Sequence, residues 1–201
     1  MADFTGRVYR RLQRERASRI VDTFEDFVRG ETNYLSVGDG DGSISVVVRN
    51  RLGLKVRGLD VHVDLPQRDT SVPLDTYDGS RMPYDDNSFD VVSAIFVLHH
   101  CNDVDQVLSE MVRVARKKVV ILEDIYRNAL ERRIVCAMDY IENRAISADM
   151  NIPFNFRSAQ EWEQAFEDRG LTVEKSKCFK ILTLLPVRHQ AFWIVKPTEG
   201  S

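Results

Sequence analysis

The run Phe89–Phe96, FDVVSAIF, is apolar at nearly every position. A strand with one face in water alternates apolar and polar residues, whereas a strand buried on both faces need not. Val119–Leu122 repeats the pattern in shorter form. Between the two, Val104, Val107, Leu108, Met111 and Val112 fall three and four apart, giving a helix over Val104–Ala115 with one apolar side. Buried strand, helix, buried strand is the unit of a parallel sheet covered by helices, which excludes a sandwich or a bundle.

The rest of the chain fits that frame. Residues 7–29 have helical periodicity and end at Gly30; their first half carries Arg7, Arg10, Arg11, Arg14, Arg16 and Arg19. That arginine-rich start is either a solvated helix face or an overhang above a cleft. Strands are expected at Tyr34–Val37, Lys55–Val63 and Val72–Tyr77, and a helix at Ile44–Leu52 closed by Gly53. Pro66 and Pro73 leave no helix between the second and third strands. Residues 127–147 read as a mixed helix. Ser158 with Glu161 makes a capping box for a helix ending at Gly170. Leu171–Ile181 and Gln190–Lys196 close the chain as an antiparallel pair.

Composition sets limits on partners. Among 201 residues, 28 Lys and Arg face 31 Asp and Glu, a formal charge of −3, so no chain-wide basic surface exists and nucleic acid is not expected. No apolar run reaches the ~20 residues of a membrane span, and the N-terminus lacks a signal-peptide layout, so a cytoplasmic protein is expected. Cys101, Cys136 and Cys178 are widely spaced and read as free thiols in a reducing compartment. Asp60, His62 and Asp64 alternate along a strand, but no fourth ligand supports them, and no metal site is expected.

Chemistry-bearing residues gather where strands end. Tyr34–Val37 runs into Gly38-Asp39-Gly40-Asp41-Gly42, either an ordinary turn or a backbone that lets a ligand approach closely. Its two acids disfavour a phosphate at the following helix and favour a cationic or neutral ligand. Asp60 ends the second strand, where a carboxylate can accept ribose hydroxyls. Asp78-Gly79 follows the third strand on the same edge. His99 and His100 are adjacent: one packs and one is exposed, or His100 serves as a general base. Asp124 and Tyr126 follow the fifth strand, as caps or as substrate contacts.

Residues 78–122, DGSRMPYDDNSFDVVSAIFVLHHCNDVDQVLSEMVRVARKKVVIL, resemble class I S-adenosylmethionine-dependent methyltransferases, in particular the type 11-like group that includes ubiquinone and menaquinone biosynthetic enzymes. The likeness lies in the Asp78-Gly79…Met82-Pro83-Tyr84 segment, the Ser-Phe-Asp strand, the Leu-His-His end and the Glu-x-x-Arg-Val helix. IPFNFRSAQEWEQAF, residues 152–166, is also similar to that group. The resemblance implies an α/β, doubly wound Rossmann-like seven-stranded sheet with its last strand pair antiparallel, an N-terminal helix and a helical cap. It implies one methyltransferase domain over 1–201: a helix in 1–30, a cofactor core in 34–124, a substrate cap in 125–157 and a C-terminal helix and strand pair in 158–197.

The cofactor implied is S-adenosyl-L-methionine. By the resemblance Gly38, Asp39 and Gly40 line its methionyl part, Asp60 takes the ribose, Val61 packs on the adenine, Asp78 accepts from the adenine amine beside Gly79, and Phe96 lies near the methionyl chain. Ser36 replaces the acid usual at the first strand's end, and Asp39 is expected to supply that charge to the ammonium. The acceptor implied is a small molecule, met by His100, Asp124, Tyr126, Asn155 and Arg157. An extended Phe154–Arg157 places Asn155 and Arg157 on one face and the phenylalanines on the other. Arg157 either clamps an anionic handle or pairs with Glu142 or Asp149. Methylation of RNA or protein, and cofactor binding without catalysis, are the competing functions.

Overall fold

The structure is a computed structural model that describes residues 2–62, 68–146, 153–181 and 188–197. Seven strands form one sheet: β1 (Asn33–Val37), β2 (Lys55–Asp60), β3 (Leu74–Thr76), β4 (Phe89–Ile95), β5 (Ala115–Ile125), β6 (Leu171–Ile181) and β7 (Arg188–Pro197). Their order is β3-β2-β1-β4-β5-β7-β6. The first five pair in parallel; β7 pairs antiparallel with β5 and with β6. The expected doubly wound sheet with an antiparallel last pair is present. Chain direction across the sheet reverses between β1 and β4, and the crevice at such a switch point is where open α/β sheets bind ligands.

All seven residues of β4 are buried, as its continuous apolar run requires. One face of the sheet packs under α4 (Val104–Val114) and α6 (Ala159–Glu167), where Trp162 stacks on Phe166 and Phe166 meets Trp193 edge-on. The other face lies under α1 (Ala2–Val21), α2 (Glu25–Val28) and α3 (Ser43–Leu52); Ala17, Val21 and Val48 of these helices, with Phe24 between α1 and α2, share a core cluster with Tyr34, Val91 and Ile194. A further helix, α5 (Ala129–Ile146), follows β5. Among the described residues no helix is long and apolar enough to cross a membrane.

Several boundaries differ from the sequence expectation for local reasons. The helix of 7–29 breaks over residues 22–24, where the Thr23 hydroxyl donates to the Ile20 carbonyl (2.6 Å) and Phe24 enters the core. β2 stops at Asp60, because that carboxylate accepts the His62 amide (3.0 Å) and turns the chain. Val63 and Asp64 lie outside the described residues. β5 begins four residues early; its exposed start is fixed by Arg116 and Lys117, both paired with Asp90. Residues 182–187 of the last connection also lie outside the described part.

Family-like signature residues turn out to brace the sheet. Asp90 accepts the amides of Thr32 and Asn33 (3.0 and 3.1 Å), fixing the start of β1 against β4. Glu110 accepts the Met82 amide (2.8 Å) and pairs with Arg113. Arg113 in turn donates to the carbonyls of Met82 and Tyr84. The Glu-x-x-Arg pair of α4 thereby holds the loop that carries Asp78 and Gly79.

Candidate active site

The glycine loop sits at the switch point. Gly38, Gly40 and Gly42 all have left-handed φ (+65°, +53° and +77°). At Gly38 a side chain is excluded, since a Cβ would lie 2.4 Å from the Val97 methyls. The loop is tied to the neighbouring strand: the Gly38 amide donates to the Leu59 carbonyl (2.7 Å) and the Gly40 amide to Asp60 Oδ2 (2.8 Å). Asp41 turns inward to accept the Ser43 amide at the start of α3.

Asp60, Val61, Asp78 and Gly79 come together beside that loop. Asp60 is buried, whereas Val61 is 48% exposed, an unusual state for a valine next to a buried strand end. It lies 3.5 Å from where a Gly79 Cβ would stand, so the two flank one slot. Asp78 accepts the amide and the hydroxyl of Ser80 (2.9 and 2.6 Å), which set its carboxylate and hold its pKa below the usual range. Phe96, the residue after β4, has a left-handed conformation (φ +56°), with the Arg16 guanidinium 5.5 Å from its ring centre. Of the arginines of α1, Arg16 thereby reaches this edge, while Arg11 and Arg14 pair with Glu15 and Asp69.

Asp39 is placed differently from the sequence expectation. Its carboxylate pairs with Arg68 (2.8 Å) and accepts from the Ser45 hydroxyl. Arg68 also donates to the Gly40 carbonyl (2.8 Å). Burial raises the Asp39 pKa, while Ser45 and Arg68 pull it back. The charge expected to face a cationic ligand is committed to Arg68, beneath the loop. Gly58 of β2 makes room for this pair, since a Cβ there would fall 2.4 Å from Asp39 Oδ2.

The turn after β4, a single 3-10 turn at Leu98–His100, is organised by Glu123. One oxygen accepts the amides of Val97 and Leu98 (2.9 and 2.7 Å); the other faces His99 Nδ1 (2.5 Å). Burial works against charge on His99, but Glu123 and Asp139 outweigh it and push the pKa up to about 10. His100 moves the other way, down to about 4, through burial and the neighbouring His99 charge. Sequence reasoning passed over Glu123, although an acid inside the buried run VVILE was a visible signal.

The residues expected to meet an acceptor are held by the protein itself. Asp124 accepts from Gln190 (2.7 Å) and lies 3.5 Å from Arg188; burial raises its pKa. Tyr126 donates its hydroxyl to Glu161 (2.6 Å). Asn155 pins the 3-10 turn, its amide donating to the His99 carbonyl and its side chain to the Cys101 carbonyl (3.1 and 2.7 Å). Arg157 pairs through both terminal nitrogens with Asp105 (3.2 and 2.7 Å) and lies 5.2 Å from the Trp162 ring. Among the described residues its partner is Asp105 and not Glu142, which pairs with Arg188; Asp149 lies outside the described residues. Phe156 is buried on His99, but Phe154 has φ +54°, which breaks the expected alternation. Tyr126, Asn155 and Arg157 do share one depression, of roughly 490 Å3, with Arg132 and Glu161.

Residues 35–122 match the profile of a family described as methyltransferase domain. Norajmaline N-methyltransferase of Rauvolfia serpentina is 29% identical over 126 residues, 57% of this chain and 43% of that protein. Methyltransferase GfsG of Streptomyces halstedii is 31% identical over 109 residues, 48% of this chain and 39% of that one. The chain thus spans less than half the length of these relatives. A structure of geranyl diphosphate methyltransferase in complex with S-adenosylmethionine superposes with a TM-score of 0.68 at 14% identity, covering 94% of this chain and 86% of that chain. The glycine loop at the switch point, the acid ending β2 and the acid–glycine pair after β3 all lie within the segment that matches the methyltransferase-domain profile, and the chain shares the fold of that S-adenosylmethionine-bound methyltransferase.

Proposed function

We propose that this chain transfers a methyl group from S-adenosylmethionine to a small-molecule acceptor. The observation that carries the reading is the junction of Asp60 with the glycine loop, where a buried carboxylate reaches Gly40 beside the Val61–Gly79 slot. The Asp60 carboxylate would accept the ribose hydroxyls, Val61 would cover the adenine, and Asp78 would accept its amine. Gly38, Asp39 and Gly40 would follow the methionyl part with their backbone, and Phe96 would close its side. The sulfonium methyl is already electrophilic. The protein's task is therefore to place a nucleophile in line with the S–CH3 bond and to keep water out.

On the acceptor side His100 is neutral at physiological pH and offers a lone pair. Asn155, Arg157, Asp124 and Tyr126 shape the surroundings of that histidine through the contacts they already make. Norajmaline N-methyltransferase carries its acceptor in its name. The likeness of residues 78–122 to quinone-pathway enzymes is in keeping with a small, partly apolar acceptor. A macromolecular acceptor is less favoured, since Arg14 pairs with Asp69, Arg11 with Glu15, and Arg16 faces Phe96. Calorimetry with S-adenosylmethionine and S-adenosylhomocysteine tests the reading. Micromolar binding of either supports it; no binding of both at about 1 mM overturns it.

A further inference from the structure

Three side chains from two elements converge beside the β4 turn. Nε2 of His99 and Nε2 of His100 each lie 3.7 Å from Oδ1 of Asp139, on α5. One ligand atom from each residue lies within 4.8 Å of the others. A separation of 3.7 Å is too long for a hydrogen bond. It is close to the ~3.4 Å between ligand atoms around a tetrahedral ion with 2.0–2.1 Å bonds. We propose that His99, His100 and Asp139 form a mononuclear site for a divalent transition metal of the zinc type, with the remaining position open to water or to an acceptor heteroatom. This departs from the metal-free expectation drawn from sequence.

The surroundings of the three residues are those a metal site needs. Glu123 binds His99 through Nδ1, which leaves Nε2 as the outward ligand and fixes the ring. A carboxylate behind a metal-bound histidine is the usual support of such a ligand. The His99 ring is further held by Phe156, stacked at 4.5 Å and 18°. Asp139 is buried; Asn143 donates to its Oδ1 (2.8 Å), while Oδ2 is buried with no hydrogen-bond partner among the described residues. A buried carboxylate oxygen without a partner is costly, and a cation offers it one. Two imidazoles and a carboxylate are borderline ligands that suit zinc, cobalt or iron rather than magnesium or calcium. The alternative is an ion-paired cluster with no affinity for metal.

The test does not depend on methyl transfer. The chelator-dialysed chain is titrated with Zn2+ by calorimetry and with Co2+ by visible absorption, without S-adenosylmethionine. The proposal expects one equivalent of either ion. Asp139→Asn and His100→Gln should each weaken Zn2+ by about 100-fold or more, and His62→Gln should leave it unchanged. No stoichiometric uptake by the wild type, or equal affinity in all three variants, overturns the site. Should a variant fail to fold, the wild-type melting temperature decides: a rise with Zn2+ supports the site and no rise overturns it. S-adenosylhomocysteine affinity of the metal-free protein, measured separately, reports on the proposed function alone.

Discussion

Glu123 holds His99 from below the sheet edge while its second oxygen fixes the backbone of the same turn. Oε2 lies 2.5 Å from His99 Nδ1, and Oε1 accepts the amides of Val97 and Leu98. Val97 in turn packs against Gly38, so one buried acid sets both the histidine and the contact with the glycine loop.

Glu123→Gln keeps an acceptor for the two amides but removes the charge opposite His99. Hydrogen bonds to charged groups are worth about 1.5–3 kcal/mol, and the variant should lose that much in urea unfolding at neutral pH. An unchanged midpoint would show that the pair contributes nothing net, as some buried pairs do.

Gly58→Ala drives a Cβ into Asp39 and must shift the Asp39–Arg68 pair. The expected loss is about 1–3 kcal/mol. Asp39→Ala removes the obstacle but strands Arg68, which is 6% exposed at its side chain. The double variant should therefore lose less than the two single losses combined. Simple additivity would mean that Gly58 and Asp39 do not interact.

How much of this was readable in advance divides by sequence separation. FDVVSAIF, the glycine loop and Asp60 were legible because apolar periodicity and strand ends are local signals. The Ser158–Glu161 capping box also appears as expected, since its partners are three residues apart. Arg68 was not legible: its partner Asp39 is 29 residues away, across a proline-broken stretch with no periodicity. The choice for Arg157 between an anion clamp and an internal ion pair stayed open for the same reason, because Asp105 lies 52 residues earlier on another helix. Asp139 looked like one polar residue of a mixed helix, and only the packing of α5 brings it to the histidines.

Arg157→Lys should act on stability more than on the cofactor. Lysine cannot reproduce the two-pronged contact with Asp105. The Asp105 side chain is 52% exposed, so solvent screening limits the loss to below about 1 kcal/mol, a few degrees in melting temperature at most. A loss of methyl transfer without a change in melting temperature or in S-adenosylhomocysteine affinity would return Arg157 to the acceptor site.

Acid should expose the role of Glu110. Arg113 and the Met82 amide hold its pKa below the usual 4.5, although burial opposes this. A lowered native pKa contributes stability above the unfolded value that is lost as pH falls through the native one. The urea-midpoint gap between wild type and Glu110→Gln should be widest near neutral pH and should close below about pH 4. A gap that persists or widens in acid contradicts the pairing.

Affinity for S-adenosylhomocysteine in Asp60→Ala tests the central claim most directly, with melting temperature measured beside it to confirm the fold. Removing the acceptor of the ribose hydroxyls should cost about 2–3 kcal/mol, a 30- to 150-fold weaker Kd in a folded variant. Equal affinity in folded wild type and variant would contradict the account and leave Asp60 as the residue that only turns the chain after β2.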